Sequence, residues 1–170
     1  MTAAPVVDPE QLAWIQSGVA TIVVSSHSPH LVPSMTLGLG CSTGAQGGQG
    51  DSGCTLRVFV LEDKGHQLLR DVRGGGAVSV LFVEGSTHKS LQLKAPRARE
   101  VARSARDVTA VDEYTQTLIA DLTSVGESEP YLRALLDRSK DHLVVLEIEP
   151  TDVFDQTPGP TAGARLGGSE

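Results

Sequence analysis

The sequence predicts an α+β fold in which an antiparallel sheet closes on itself. Two observations carry this. From Gln11 to Gly50 there is no Asp, Glu, Lys or Arg, yet the stretch is too polar and Gly-rich to cross a bilayer. A charge-free region of that length suits strands covered on both faces, as in a closed barrel that also dimerises. The second observation is the order of elements: helix, three strands, helix, two strands, two helices, strand. That makes about six strands with short flanking helices.

The elements follow in order. Asp8-Pro9 with Gln11 at N3 opens a helix whose apolar side is Leu12 and Ile15, and Gly18 ends it. Val19 to Ser25 is a β-branched run. Ser28-Pro29 turns the chain, and Leu31 to Leu39 supplies a hairpin partner, with Pro33 placing its missing N–H at an edge or bulge. Gly38 to Gly53 holds seven glycines in sixteen residues and reads as a mobile loop. Thr55 to Leu61 is a strand. Lys64 to Arg73 is a helix with Leu68, Leu69 and Val72 on one side and Gly74-Gly75-Gly76 as its stop. Ala77 to Val83 is a buried strand, and Ser90 to Lys94 alternates as a half-exposed one. Thr109 with Asp112 resembles a capping box for a helix carrying Val111, Tyr114, Leu118, Leu122 and Val125. A short helix opens near Pro130. Leu143 to Ile148 is the last strong strand, continued by Thr151 to Phe154, and the tail after Gly163 is expected to fray.

Composition bounds the function. The chain has 170 residues, 39% hydrophobic and 21% charged, with a net charge of −7. This is one domain over residues 1–170, with about 8–165 ordered. The acidic balance argues against a general nucleic-acid or anionic-membrane surface, and 4% aromatic residues argues against stacking platforms. Cys41 and Cys54 cannot form a disulfide framework, and no Cys/His spacing matches a zinc site. His27-x-x-His30 has no third ligand nearby. Met1 to Gln11 lacks a signal-peptide pattern, so a cytoplasmic protein is expected. Gly50-Asp51-Ser52-Gly53 and Gly38-x-Gly40-x-x-x-Gly44 lack the context of a protease or dinucleotide motif. The basic residues from Lys89 to Arg106 read as a solvated segment.

The informative segment is Glu84 to Lys94, where hydroxyls and a cation open a strand directly after an apolar one. Such a mixture of neutral donors and point charges suits a phosphate. Leu61-Glu62-Asp63-Lys64-Gly65 repeats the theme at a helix start.

These segments resemble the pyridoxamine 5′-phosphate oxidase-like family, the FMN-binding split barrels. The resemblance runs over residues 8–165, through the hairpin Val19 to Thr36, Arg57 to Leu61 leading into Lys64-Gly65, Val78 to Val83 leading into Thr87 to Lys94, and the ending Phe154 to Pro160. It implies an antiparallel split β-barrel and a homodimer with FMN at the subunit interface. It further implies that Lys64, Lys89 and Ser90 hold the phosphate with Thr87 assisting. Ser34, Met35 and Thr36 would line the isoalloxazine edge, and Gln92 would reach ribityl or ring oxygen. His88 stands where relatives carry an aromatic, Ala95-Pro96 replaces a glycine turn, and the Arg-rich signature of vitamin B6 oxidases is not evident. The implied function is an FMN-dependent oxidoreductase acting on a small, unidentified substrate. The alternative is a non-catalytic flavin- or haem-binding sensor or store.

Overall fold

The computed structural model describes residues 6–44, 54–136 and 140–168. Its elements are α1 (Pro9–Gln16), β1 (Ala20–His27), β2 (Pro33–Gly38), β3 (Cys41–Thr43), β4 (Leu56–Leu61), α2 (Glu62–Arg73) and β5 (Val78–Glu84). They continue with β6 (Ser90–Ala95), β7 (Ala98–Val101), α3 (Ala105–Ser124), α4 (Glu129–Leu136), β8 (Leu143–Ile148), β9 (Asp152–Asp155) and β10 (Arg165–Gly168). The strands form a six-stranded sheet, β10-β9-β6-β5-β1-β2, and a four-stranded sheet, β3-β4-β8-β7.

The two sheets join into one barrel. At one seam the Leu39 N–H donates to the Phe59 carbonyl at 2.7 Å and the Phe59 N–H to the Gly40 carbonyl at 3.0 Å. β2 and β3 are therefore halves of one bent strand. Glycine is required at this bend. A Cβ on Gly38 would lie 2.7 Å from Ile22 Cγ2, and Gly40 has a φ of +121° against the Tyr114 ring. At the other seam, β6 runs into β7 with only Pro96 and Arg97 between them. The circuit β5, β1, β2/β3, β4, β8, β7/β6 closes six strand positions. The fold is an antiparallel split barrel, as the sequence implied.

Alternation sets which side chains enter the core. Ala20, Ile22, Val24 and Ser26 of β1 point inward, as do Val78, Val80 and Phe82 of β5, and all are buried. They meet Leu56, Val58 and Val60 of β4 and Val144, Leu146 and Ile148 of β8. Burial of a side chain of this size stabilises by about 1.5–3 kcal/mol before chain entropy is counted. Leu68, Leu69 and Val72 of α2 join this core near the end marked by Ser26, Ser34 and Gly76. Ile15 of α1 and Tyr114 and Leu118 of α3 join it near Ala20, whose carbonyl accepts from the Tyr114 hydroxyl at 3.0 Å. Burial raises the Tyr114 phenol pKa, so the group stays a donor.

Several expectations need correction. The glycine-rich segment holds a strand, β3, which pairs with β4 through Cys41↔Val58 and Thr43↔Leu56; residues 45–53 of that predicted loop lie outside the described residues. The basic segment holds β7, zipped to β8 from Ala98↔Ile148 to Val101↔Val145. The long helix starts before Thr109. Its capping box is Ser104 with Asp107, and Asp107 also binds Arg57. β9 does not extend β8 but crosses to the other sheet, against β6. The tail pairs with β9 as β10 up to Gly168. The opening helix is as expected, Asp8 Oδ1 accepting from the Gln11 N–H at 2.8 Å. β2 is an edge strand, which suits Pro33. Among the described residues no helix is long and apolar enough to cross a membrane.

Candidate functional site

The outward face of the six-stranded sheet presents two rows of side chains. Its central row is Leu37, Val23, Leu81, Gln92 and Phe154, read across β2, β1, β5, β6 and β9. The next row is Met35, Ser25, Ser79 and Lys94. No side chain in either row is buried, and Met35 and Leu37 are 68% and 43% exposed. A neutral hydrogen-bonded chain crosses this face. Gln156 Nε2 donates to Gln92 Oε1 at 3.0 Å, Gln92 Nε2 to Ser79 Oγ at 2.8 Å, and Ser25 Oγ to the Ser79 carbonyl at 3.3 Å. Lys94 Nζ lies 4.6 Å from the centroid of the Phe154 ring.

Leu37 belongs also to a cavity of about 250 Å³ at the β2 edge, lined by Thr36, Leu39, Leu61, Lys64, Leu135 and Leu136. Leucines make most of its wall, and Lys64 is its one charged group. α2 starts here, with Leu61 as an N-cap that offers no side-chain acceptor. The first-turn amides of a helix lack intrahelical partners, so they present positive charge beside Lys64. Gly65 lets this turn approach β2, since a Cβ there would sit 3.3 Å from Thr36 Cγ2. The Lys64 ammonium is 3.6 Å from Asp63, with both side chains more than half exposed, so water screens that pair. The Glu62 amide of this turn is taken by the His142 carbonyl at 3.0 Å; a cation, the Asp63 and Lys64 amides and a hydroxyl beside an apolar wall form a donor set that fits a phosphate-bearing flavin.

The eight residues named from the sequence fall in four places. Thr36 and Lys64 share the leucine cavity. Met35 and Gln92 lie on the open face. Ser34 points the other way, into the barrel end, and donates to Asp71 Oδ2 at 2.6 Å. Alternation along β2 forces this split, because neighbours on a strand face opposite sides. Thr87, Lys89 and Ser90 lie at the β5–β6 turn, with β5 and β1 between them and β2. At roughly 4.8 Å per strand, that separates β6 from β2 by about 14 Å. The two lysines of one chain do not converge.

Sequence reading missed Leu135 and Leu136 of α4, whose spacing with Leu132 reads as ordinary helix packing. It missed Gln156 and Trp14 as well; each acts through a partner far along the chain. The cysteines stand apart from the site. Burial, then the neighbouring Cys54, pushes the Cys41 thiol up to about 12, and burial raises Cys54 too. Among the described residues no three His, Cys, Asp or Glu side chains gather as a metal site.

Sheet order, seams and open face define this protein as a split barrel of the kind found in pyridoxamine 5′-phosphate oxidase-like proteins. No family model matches the sequence, and no curated protein matches it significantly. Solved structures do match. The conserved hypothetical protein Rv2991 of Mycobacterium tuberculosis is 14% identical over 87% of this chain and 83% of its own, with a TM-score of 0.51. HutZ, the haem storage protein of Vibrio cholerae, is 14% identical over 95% and 96%, with a TM-score of 0.48. A proposed pyridoxamine 5′-phosphate oxidase of Lactobacillus delbrueckii is 11% identical over 86% and 92%, with a TM-score of 0.47. The likeness to the mycobacterial protein is one of fold.

Proposed function

We propose that this chain is an FMN-binding oxidoreductase that acts on a small substrate as a homodimer, with the cofactor at the subunit interface. The observation that carries this reading is the meeting of Lys64 and the α2 amides with the open sheet face at Leu37. Lys64 Nζ, the Asp63 and Lys64 amides and the Thr36 hydroxyl would bind phosphate, by charge-assisted hydrogen bonds. Leu37, Val23 and Leu81 would exclude water from one side of the ring. Gln92, fixed between Ser79 and Gln156, offers an amide to its polar atoms. FMN supplies the hydride or electron chemistry when bound, so no protein nucleophile is required. A second copy against the open face covers Met35 and Leu37 and closes the site.

A second reading is a flavin- or haem-binding sensor or store. The neutral chain Ser25, Ser79, Gln92 and Gln156 favours it, because it places no acid or base at the centre of the face. Absorbance of the purified protein separates the readings first, flavin bands against a haem Soret band. FMN that binds and turns over NAD(P)H supports the oxidoreductase; FMN bound without turnover of any donor supports the store. Sedimentation that finds a folded monomer with full FMN occupancy would remove the interfacial site.

A further inference from the structure

The β5–β6 turn carries the second lysine that the family resemblance assigns to phosphate, and its surroundings are wrong for an anion. Lys89 Nζ lies 4.7 Å from the centroid of the Trp14 ring. The Trp14 indole N–H donates to Glu84 Oε2 at 2.8 Å. That bond first, and the hydroxyls of Thr87 and Ser86 and the charge of Lys89 after it, hold the Glu84 carboxyl below its ordinary range. Asp8, Glu10 and Asp155 line the same cleft as Lys89, of about 290 Å³. The cleft thus carries three carboxylates beside one lysine, and Glu84 feels the charge of the same lysine.

The neutral donors are spent as well. The Ser90 hydroxyl donates to the His88 carbonyl at 2.9 Å, and the Ser90 N–H donates to Thr157 Oγ1 at 3.0 Å. Ser90 itself is buried. Thr87 Oγ1 accepts from the Lys89 N–H at 3.2 Å. His88, with a φ of +63°, holds the turn in the left-handed shape these bonds need, at a backbone conformation L-residues seldom adopt.

We infer that the Thr87–Ser90 turn does not hold a phosphate in this chain: Lys89, Trp14 and Glu84 form a clasp that fastens α1 to the barrel, and of the two lysines assigned to phosphate only Lys64 serves the cofactor site. The second half rests on the FMN reading; the clasp does not. Lys89 is thus a positioning residue, acting on α1 through an indole face. The Lys64 contact is the charge-assisted one whose loss weakens FMN, and not riboflavin, by about tenfold to a hundredfold.

The test titrates FMN and riboflavin by calorimetry into the full chain and its Lys64→Met and Lys89→Met variants, with Trp14 emission and thermal melting in parallel. Trp14 is the only tryptophan, so its emission reports the clasp alone. Lys89→Met is expected to shift Trp14 emission and lower Tm, while the FMN Kd stays within about threefold. Lys64→Met is expected to raise the FMN Kd about tenfold to a hundredfold, leave the riboflavin Kd unchanged and leave the emission unchanged. Trp14→Phe, which keeps the Lys89 charge, serves if Lys89→Met does not fold: it is expected to lower Tm and leave the FMN Kd unchanged. A rise of about tenfold or more in FMN Kd in Lys89→Met, with riboflavin unaffected, overturns the inference. So does unchanged Trp14 emission in that variant. A wild type that binds neither flavin overturns the FMN reading and the Lys64 half with it, and the emission and melting data then decide the clasp.

Discussion

The two sheets of this barrel share one interior but treat their outer faces in opposite ways. The four-stranded sheet is covered. Phe59 and Val145 project outward from β4 and β8, and with Leu39, Leu61 and Leu143 they pack under Val111 of α3 to form a second core. Arg57 on β4 fixes α3 in place, its guanidinium donating to both oxygens of Asp107 at 3.1 and 2.9 Å. The six-stranded sheet leaves Met35, Leu37, Val23 and Leu81 open. The same strand chemistry is thus used for stability on one side and kept available on the other. One outer face lies under a twenty-residue helix, and the other is the face on which the proposed function rests.

The contrast can be broken from the covered side first. Phe59→Ala removes a fully buried ring from the α3 interface and is expected to cost about 3–5 kcal/mol. Denaturant unfolding measures it. A loss under about 1 kcal/mol would mean that α3 does not hold the sheet as the packing indicates. Asp107→Asn comes next. It leaves Arg57, whose side chain is 18% exposed, with the Ala102 carbonyl at 3.0 Å and the more distant Glu147 carboxylate at 3.6 Å. Breaking one partner of a largely buried ion pair costs about 3 kcal/mol. Against the cost of its burial, the Arg57 hydrogen bonds and those of Ser104 hold the Asp107 carboxyl low. The pair's contribution is therefore complete above the ordinary aspartate pKa and is lost as pH falls through the depressed folded value. Asp107→Asn should flatten the acid limb of the stability curve, and an unchanged limb would count against it.

How much of this was legible in the sequence follows from where each signal is stored. β1, β4, β5 and β8 are apolar runs whose burial is written locally, and they were readable. β3, β7 and β10 are three or four residues long, and Cys41-Ser42-Thr43 or Arg165-Leu166-Gly167-Gly168 carries no strand pattern. Their partners make them strands. The start of α3 was misread because Thr109-x-x-Asp112 and Ser104-x-x-Asp107 are equal as local motifs; the Arg57 contact, from fifty residues away, tells them apart. The site divides in the same manner. Lys64 at a helix start was visible. The opposite aims of Ser34 and Met35 depend on which face of β2 meets α2, and the engagement of Lys89 by Trp14 depends on where α1 docks.

Glu84→Gln probes the junction of the open sheet with α1, with a smaller effect. The hydrogen bond from Trp14, foremost among the interactions of Glu84, keeps its carboxyl below the ordinary range. The stabilisation is present above the unfolded glutamate pKa, about 4.3, and is lost as pH falls through the lower folded value. Wild type should therefore lose more Tm than the variant between neutral pH and acid. Parallel acid titrations of the two proteins would argue against a charged Glu84 in the native state.

The smallest effect on the fold is expected where the comparison is sharpest. Leu37 lies in the central row of the open face, on the edge strand, and is 43% exposed. A lysine there can extend its charge into water while its stem covers the same apolar neighbours. Leu37→Lys should change the stability of the folded chain by no more than about 0.5 kcal/mol, as surface substitutions do, and leave its circular dichroism unchanged. Its effect should fall on association instead, because two copies meeting through this face would bring the introduced charge into a dry contact. Sedimentation over a range of concentrations reads this directly. A variant that unfolds would show Leu37 to be part of the core, against its exposure. A variant that assembles as the wild type does would mean that the copies meet elsewhere, and the open face would then be left to the ligand alone.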